Sequence, residues 1–129
     1  MYFLIENSKL ITYLNKVFKI NSLGITSFFF IFLKGKKEDD LNVFNHEMIH
    51  IKQFQETLYF GFYFISFFEF IYNFLKYKST YNAYRYLLFE IEAYDNMFDL
   101  DYLKKRKKFA WLRNFFNKNN KVHPEIKSD

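Results

Sequence analysis

Apolar residues along this chain come in long stretches with few interruptions. In residues 2–18, Leu4, Leu10, Leu14, Val17 and Phe18 recur among polar neighbours, a spacing that predicts an amphipathic helix or an irregular leader. Residues 24–33 are short, rich in β-branched and aromatic side chains, open at Gly24 and close on Lys34-Gly35-Lys36-Lys37. They are the strongest strand signal in the chain. Residues 34–40 read as a polar turn, with Asp39 or Asp40 placed to cap a helix starting near Leu41.

From Leu41 to about Tyr77 only Gly61 interrupts a helical pattern. Within it, the 18 residues 58–75 hold no Lys, Arg or Asp, and their main polar members are Ser66, Glu69 and Asn73. A buried core helix, an interfacial helix and a membrane span compete for this segment. In a span, Glu69 has to face protein or water, because a charge facing lipid is costly. Ser79 or Thr80 caps a further helix to about Phe98, and Asp99 caps a last one over 100–116. Trp111, Phe115 and Phe116 at helical spacing read as core. Residues 117–129, with Asn119-Asn120 and Pro124, read as a frayed tail, and His123 within it as a mobile residue. The expected fold is one domain, residues 1–129, mainly α with one short β strand or hairpin and a folded core over about 24–116.

Composition sharpens this picture. Half of the 129 residues are hydrophobic and 25 % aromatic, with Phe 20 and Tyr 11, which excludes a disordered chain. Gly 3 and Pro 1 favour long helices over a turn-dense β architecture. With no Cys, disulfides, thiolate metal sites and cysteine catalysis are excluded. Residues 1–20 carry Glu6, Lys9, Lys16 and Lys19, so no clean apolar stretch forms and no signal peptide is expected; the expected location is cytoplasmic or membrane-associated. The net charge is +5, concentrated in Lys104-Lys105-Arg106-Lys107-Lys108 and the Lys and Arg that follow. That run reads as a solvated helix face or as a contact to an anionic membrane surface. It matches none of the nucleic-acid-binding signatures, so nucleic acid is not an expected partner.

The residues that carry chemistry are Asn45-His46-Glu47-Met48-Ile49-His50, an HExxH sequence inside a predicted helix. Four residues apart, His46 and His50 stack on one face and can present imidazoles to one metal ion. Glu47 lies about 100° round from His46, close enough to act as a general base without being a ligand. A catalytic zinc of this kind needs a third protein ligand and an open position. Phe89-Glu90-Ile91-Glu92-Ala93-Tyr94-Asp95 is the strongest source: Glu90 and Glu92 point to nearly opposite sides of a helix, so one of them is the ligand.

His46 to His50 with a downstream Glu90-x-x-Ala93 resembles the gluzincin metallopeptidases, above all their small and membrane-linked branches, whose second helix reads E-x-x-A-D or E-x-x-C-D. More closely, residues 24–106 resemble short predicted peptidases of the Bacteroidetes, through Asn45 to His50 with Gln53, the aromatic helix with Glu69, Ala83-Tyr84-Arg85, Phe89 to Tyr94, and Tyr102-Leu103-Lys104-Lys105-Arg106. The resemblance implies a zincin-like core of two antiparallel helices. In it His46, His50 and Glu90 hold Zn2+, Glu47 is the general base, and a peptide or protein is the substrate. In the gluzincin pattern the acid four residues after the ligand Glu orients a ligand histidine. Tyr94 stands at that place here, and Tyr94 or Glu92 is expected to substitute. The strand over 26–33 would pair with an extended substrate, and Tyr84, Arg85 or Tyr94 would stabilise the oxyanion. Gln53 shares the metal face. Two other readings remain at this stage: a membrane-associated, non-catalytic protein, and a zinc-binding pseudoenzyme.

Overall fold

The computed structural model describes residues 1–117, with side chains described as far as Phe115. The chain is mainly helical, with a small three-stranded sheet. The expectations for the tail and for His123 lie outside the described residues.

The sheet is built from β1 (Phe3–Ile5), β2 (Gly24–Ser27) and β3 (Phe30–Leu33) in the order β1-β3-β2. β1 runs parallel to β3, and β2 antiparallel to it. Residues 24–33, expected as a short strand or hairpin, form a hairpin that turns at Phe28-Phe29. Phe28 takes a positive φ of 55°, a conformation an L-residue adopts at a cost of roughly 1–2 kcal/mol. Its ring is held against Phe54, Phe60 and Tyr63, which fixes the turn. Among the described residues β3 is the central strand, and β2 and β1 lie at the edges.

The expected N-terminal helix is β1 followed by α1 (Lys9–Phe18). The buried stripe differs from the expected one: Ile11 is buried, while Leu10, Val17 and Phe18 are exposed. A three-residue strand is shorter than any periodicity that could announce it; its partner β3, 27 residues away in the register, makes it a strand.

α2 (Leu41–Glu56) starts at Asp40, whose carboxylate accepts the N–H groups of Asn42 and Val43 at 3.1 Å. Its Ile51 packs against Ile31 and Leu33 of the sheet, with Leu4, Val43, Phe44 and Met48 around them. The helix stops at Thr57, three residues before α3 (Phe60–Tyr77), and the two helices meet at 105°. The break is at Leu58 and Tyr59, both with positive φ (54° and 64°), and not at Gly61. Gly61 serves another purpose: a Cβ there would lie 3.2 Å from the Thr57 Cβ, a tight contact at the corner that glycine avoids.

α4 (Thr80–Arg85) is capped by Ser79, and α5 (Leu88–Asn96) follows after a turn at Tyr86-Leu87, where one continuous helix was expected. The expected last helix is α6 (Tyr102–Lys105), a 3-10 turn at Ala110–Leu112 and α7 (Arg113–Asn117). Trp111 is buried, whereas Phe115 is exposed and does not join the core. The rings of Phe54, Phe62, Phe89 and Trp111 stand in a column, with centroids 3.9, 4.4 and 4.8 Å apart. Each such pair adds about 0.5–1.5 kcal/mol beyond its buried area, and together they set the spacing of α2, α3, α5 and the C-terminal segment.

Within the basic run Lys104, Lys105, Lys107 and Lys108 are exposed, as a solvated face would be, and Arg106 is not. Arg106 is buried in ion pairs with Glu56 and Glu92, and Lys104 and Lys105 pair with Asp101 and Asp99. No single described helix is long and apolar enough to cross a membrane; α2 and α3 pass only as a bent pair, by length and composition.

Candidate metal centre

α2 and α5 face each other and run antiparallel. Asn45, in the first half of α2, donates to the carbonyls of Asn96, Met97 and Asp99 at the end of α5, at 3.3, 2.9 and 3.0 Å. Gln53, in the second half, reaches the carbonyl of Phe89 near the start of α5. The expected pair of helices is thus tied at both ends by side-chain amides.

Between these ties, Nε2 of His46 and Nε2 of His50 stand 3.1 Å apart, with the two oxygens of Glu90 at 3.2 and 3.1 Å from them. All three side chains are buried. Donor atoms bonded to one tetrahedral zinc at 2.0–2.1 Å are about 3.3–3.4 Å apart, so the spacing fits a shared ion with little movement. Among the described residues, His46 Nε2 is the polar group beside buried Glu90 Oε2, at 3.2 Å, and no other donor reaches that oxygen, as suits a ligand oxygen.

The protonation of His50 follows from its surroundings. Gln53 Nε2 donates to Phe89 O (3.0 Å) and to Glu92 Oε2 (2.8 Å), so Gln53 Oε1 is left as the acceptor facing His50 Nδ1 at 2.7 Å. His50 therefore carries a proton on Nδ1 and can turn an Nε2 lone pair to the centre. Glu92 is itself fixed by Arg106 and by the Tyr102 hydroxyl, at 2.8 Å. A chain Arg106–Glu92–Gln53–His50 thus orients one imidazole.

Without a metal, the charges balance by proton sharing. Burial opposes the charged form of His50, but Glu90 beside it, helped by Glu47 and Gln53, pushes its pKa up to about 9. Burial likewise works to raise the Glu90 carboxyl, yet His50 and His46 hold it below the usual carboxylate range. Glu47 behaves oppositely. Burial raises it, only partly offset by the two histidines and by Thr26. A buried carboxylate with a raised pKa suits a general base.

Glu47 points to the sheet. Thr26 of β2 donates its hydroxyl to Glu47 Oε2 at 2.6 Å. A Cβ at Gly24 would lie 2.9 Å from Glu47 Oε1 and 3.0 Å from its Cγ. Gly24→Ala is therefore expected to displace the Glu47 carboxylate while leaving His46, His50 and Glu90 in place. Zinc content should stay unchanged and any hydrolytic rate should fall by about 10²-fold, as a misplacement of about 1 Å can cause. Zinc analysis and a rate measurement on the same preparation check this.

The Tyr84 hydroxyl donates to Glu90 Oε1 at 2.8 Å, and burial together with Glu90 keeps that hydroxyl protonated. Tyr94 packs its ring against the His46 ring, with centroids 4.6 Å apart, and burial and Glu90 push its pKa up to about 12. The Arg85 guanidinium lies 3.8 Å over the Tyr94 ring, and its buried Nη1 has no hydrogen-bond partner among the described residues. Among the described residues, Arg85 is linked to His46 through the Tyr94 ring. Orientation of His50 falls to Gln53 and, behind it, Glu92. No hydrogen bond reaches His46 Nδ1 among the described residues. The sequence reads Gly24 and Thr26 as part of a strand and Arg106 as part of the basic run, and ties none of the three to Glu47 or His50. Arg106 lies in the Tyr-Leu-x-x-Arg sequence, but nothing local distinguishes it from the lysines beside it.

Comparison of the chain with protein-family models, with curated proteins and with solved structures finds no match.

Proposed function

We propose that the protein is a zinc-dependent metallopeptidase of gluzincin type. The observation that carries this reading is the meeting of His46, His50 and Glu90 in one buried cluster, with the Glu47 carboxylate on the adjoining helical position. His46, His50 and Glu90 would hold the ion. Zinc there supplies Lewis acidity, polarising a scissile carbonyl and making water more acidic.

The chain's own residues supply the rest. Glu47 takes a proton from the attacking water and passes it to the leaving amine. The Thr26 hydroxyl fixes the direction of its carboxylate, and Gly24 leaves it room. β2 is one edge of the sheet, with no further strand beside it among the described residues, so an extended peptide could add there by main-chain hydrogen bonds. β2, rather than the whole stretch 26–33, is the pairing strand in this reading, since β3 is already flanked on both sides. Arg85 and the Tyr94 hydroxyl are the candidates for stabilising negative charge on the carbonyl oxygen.

The test is cleavage of a quenched-fluorescent peptide library by zinc-loaded protein. Wild-type protein is expected to cleave, and Glu47→Gln to lose 10²–10⁴-fold in rate while keeping its zinc. Stoichiometric zinc with no cleavage, unchanged by Glu47→Gln, would reassign the protein as a zinc-binding pseudoenzyme.

A further inference from the structure

α3 is built inside out. Its polar side chains Ser66, Glu69 and Asn73, spaced i, i+3, i+7, face the protein. Glu69 Oε1 accepts the N–H of Leu88 at 2.9 Å, and Asn73 Nδ2 donates to the carbonyl of Ala83 at 3.0 Å. The opposite side, at about 100° per residue, carries Phe60, Phe64, Phe67, Phe68, Tyr72 and Leu75, all exposed; Phe60 and Phe64 are 76 % and 66 % so. These six side chains leave on the order of 800 Å² in contact with solvent, beyond the 300–600 Å² typical of the largest apolar patch on a monomer. The patch continues onto the hairpin tip, where Phe28 meets Phe60 (5.6 Å) and the exposed Phe29 meets Tyr59 (6.3 Å).

We infer that this face docks on an anionic lipid bilayer, with α3 lying in the interface plane. Two observations favour lipid over a protein partner. Protein interfaces carry about one hydrogen bond per 100–200 Å², yet the only polar side-chain atom in this stripe of six is the Tyr72 hydroxyl. Around the C-terminal end of the helix, beside the aromatic stripe rather than on it, the exposed cations Lys76 and Lys78 flank Tyr77, a combination of amines and aromatic hydroxyl that suits a headgroup layer. Glu69, the one acid in the helix, is turned away from the bilayer and fastens the start of α5, which carries Glu90. Docking thus leaves the metal site intact and keeps the helix that bears it at the membrane surface. The inference does not depend on catalysis, since it concerns a face that none of His46, Glu47, His50 and Glu90 forms.

The experiment is flotation of the full chain with vesicles of phosphatidylcholine mixed with phosphatidylglycerol, and with vesicles of phosphatidylcholine alone. The protein is expected to float with the mixed vesicles. Phe64→Gln with Phe68→Gln should lower partitioning at least ~10-fold, with helical circular dichroism and zinc content unchanged. Lys76→Gln and Lys78→Gln should each lower binding to the mixed vesicles by about fivefold, and change binding to phosphatidylcholine little. Protein that stays with the dense fraction, or that floats equally well with both Phe changed, overturns the inference. So does a stable dimer that ignores vesicles and becomes monomeric when Phe64 and Phe68 are replaced; the face would then belong to a second copy of the chain.

Discussion

Glu90→Gln is expected to release zinc, raising its dissociation constant by at least ~100-fold, at or beyond the upper end of the 10–100-fold typical of losing a group that only orients a ligand. The substitution keeps the shape of the side chain and changes what it offers. The carboxylate now places one oxygen 3.2 Å from His46 Nε2 and the other 3.1 Å from His50 Nε2. An amide offers one neutral oxygen, and its NH2 group would face one of the two imidazoles and occupy its lone pair. Glu92→Gln provides the contrast. That carboxylate lies among Arg106, Tyr102 and Gln53, and none of the contacts found for it is to either imidazole. Its loss should weaken zinc by the smaller, orienting amount. Titration with a competing chelator measures both. Equal loss in the two variants, or no loss in Glu90→Gln, would contradict this assignment of the two acids.

The second large effect is on stability. Arg106 forms paired contacts to Glu56 (2.6 and 3.1 Å) and to Glu92 (2.5 and 3.1 Å), while Trp111 Nε1 donates to Glu56 at 3.2 Å. The Arg106 and Glu92 side chains are 4 % and 2 % exposed. Arg106→Ala leaves the buried Glu92 carboxylate, and the partly buried Glu56 beside it, without a cationic partner, which costs about 3–5 kcal/mol. Against a total stability of about 5–15 kcal/mol, that lowers Tm by on the order of 10–20 °C. Arg106→Lys should recover only part of the loss, because one ammonium cannot grip two carboxylates in forked geometry. Zinc affinity should also fall in Arg106→Ala, since Glu92 loses the partner that fixes Gln53 and, through it, His50. A Tm within a few degrees of wild type would show that the pairs contribute little.

Much of the site could be read from the chain because it rests on local geometry. An i, i+4 pair on a helix must share a face, so His46 and His50 needed only helical backbone, which Asp40 starts and an unbroken run sustains. The parity of Glu90 and Glu92 implied that they diverge. The resemblance points to Glu90, but helical parity alone does not choose, and the partner that holds Glu92 on the other side is Arg106, 14 residues beyond it, which also joins Glu56, 50 residues back. Partners that distant leave no periodic trace. The corner between α2 and α3 was illegible for a similar reason. Leu58 and Tyr59 have no intrinsic preference for positive φ, and tertiary contacts such as Tyr59 with Phe28 and Phe29 hold them there. In α3 the pattern was read but its orientation was not. Periodicity separates the Ser66–Glu69–Asn73 side from the aromatic side, but does not say which faces the protein. The N–H of Leu88 and the carbonyl of Ala83 decide that.

The central claim is that His46, His50 and Glu90 bind one zinc ion together, and zinc K-edge X-ray absorption of protein loaded with one equivalent tests it most directly. The account predicts a shell of nitrogen and oxygen at about 2.0–2.2 Å, with the outer scattering of two imidazole rings, falling to one ring in His46→Ala. Zinc that binds in less than stoichiometric amount, or whose spectrum carries no imidazole scattering, would contradict it.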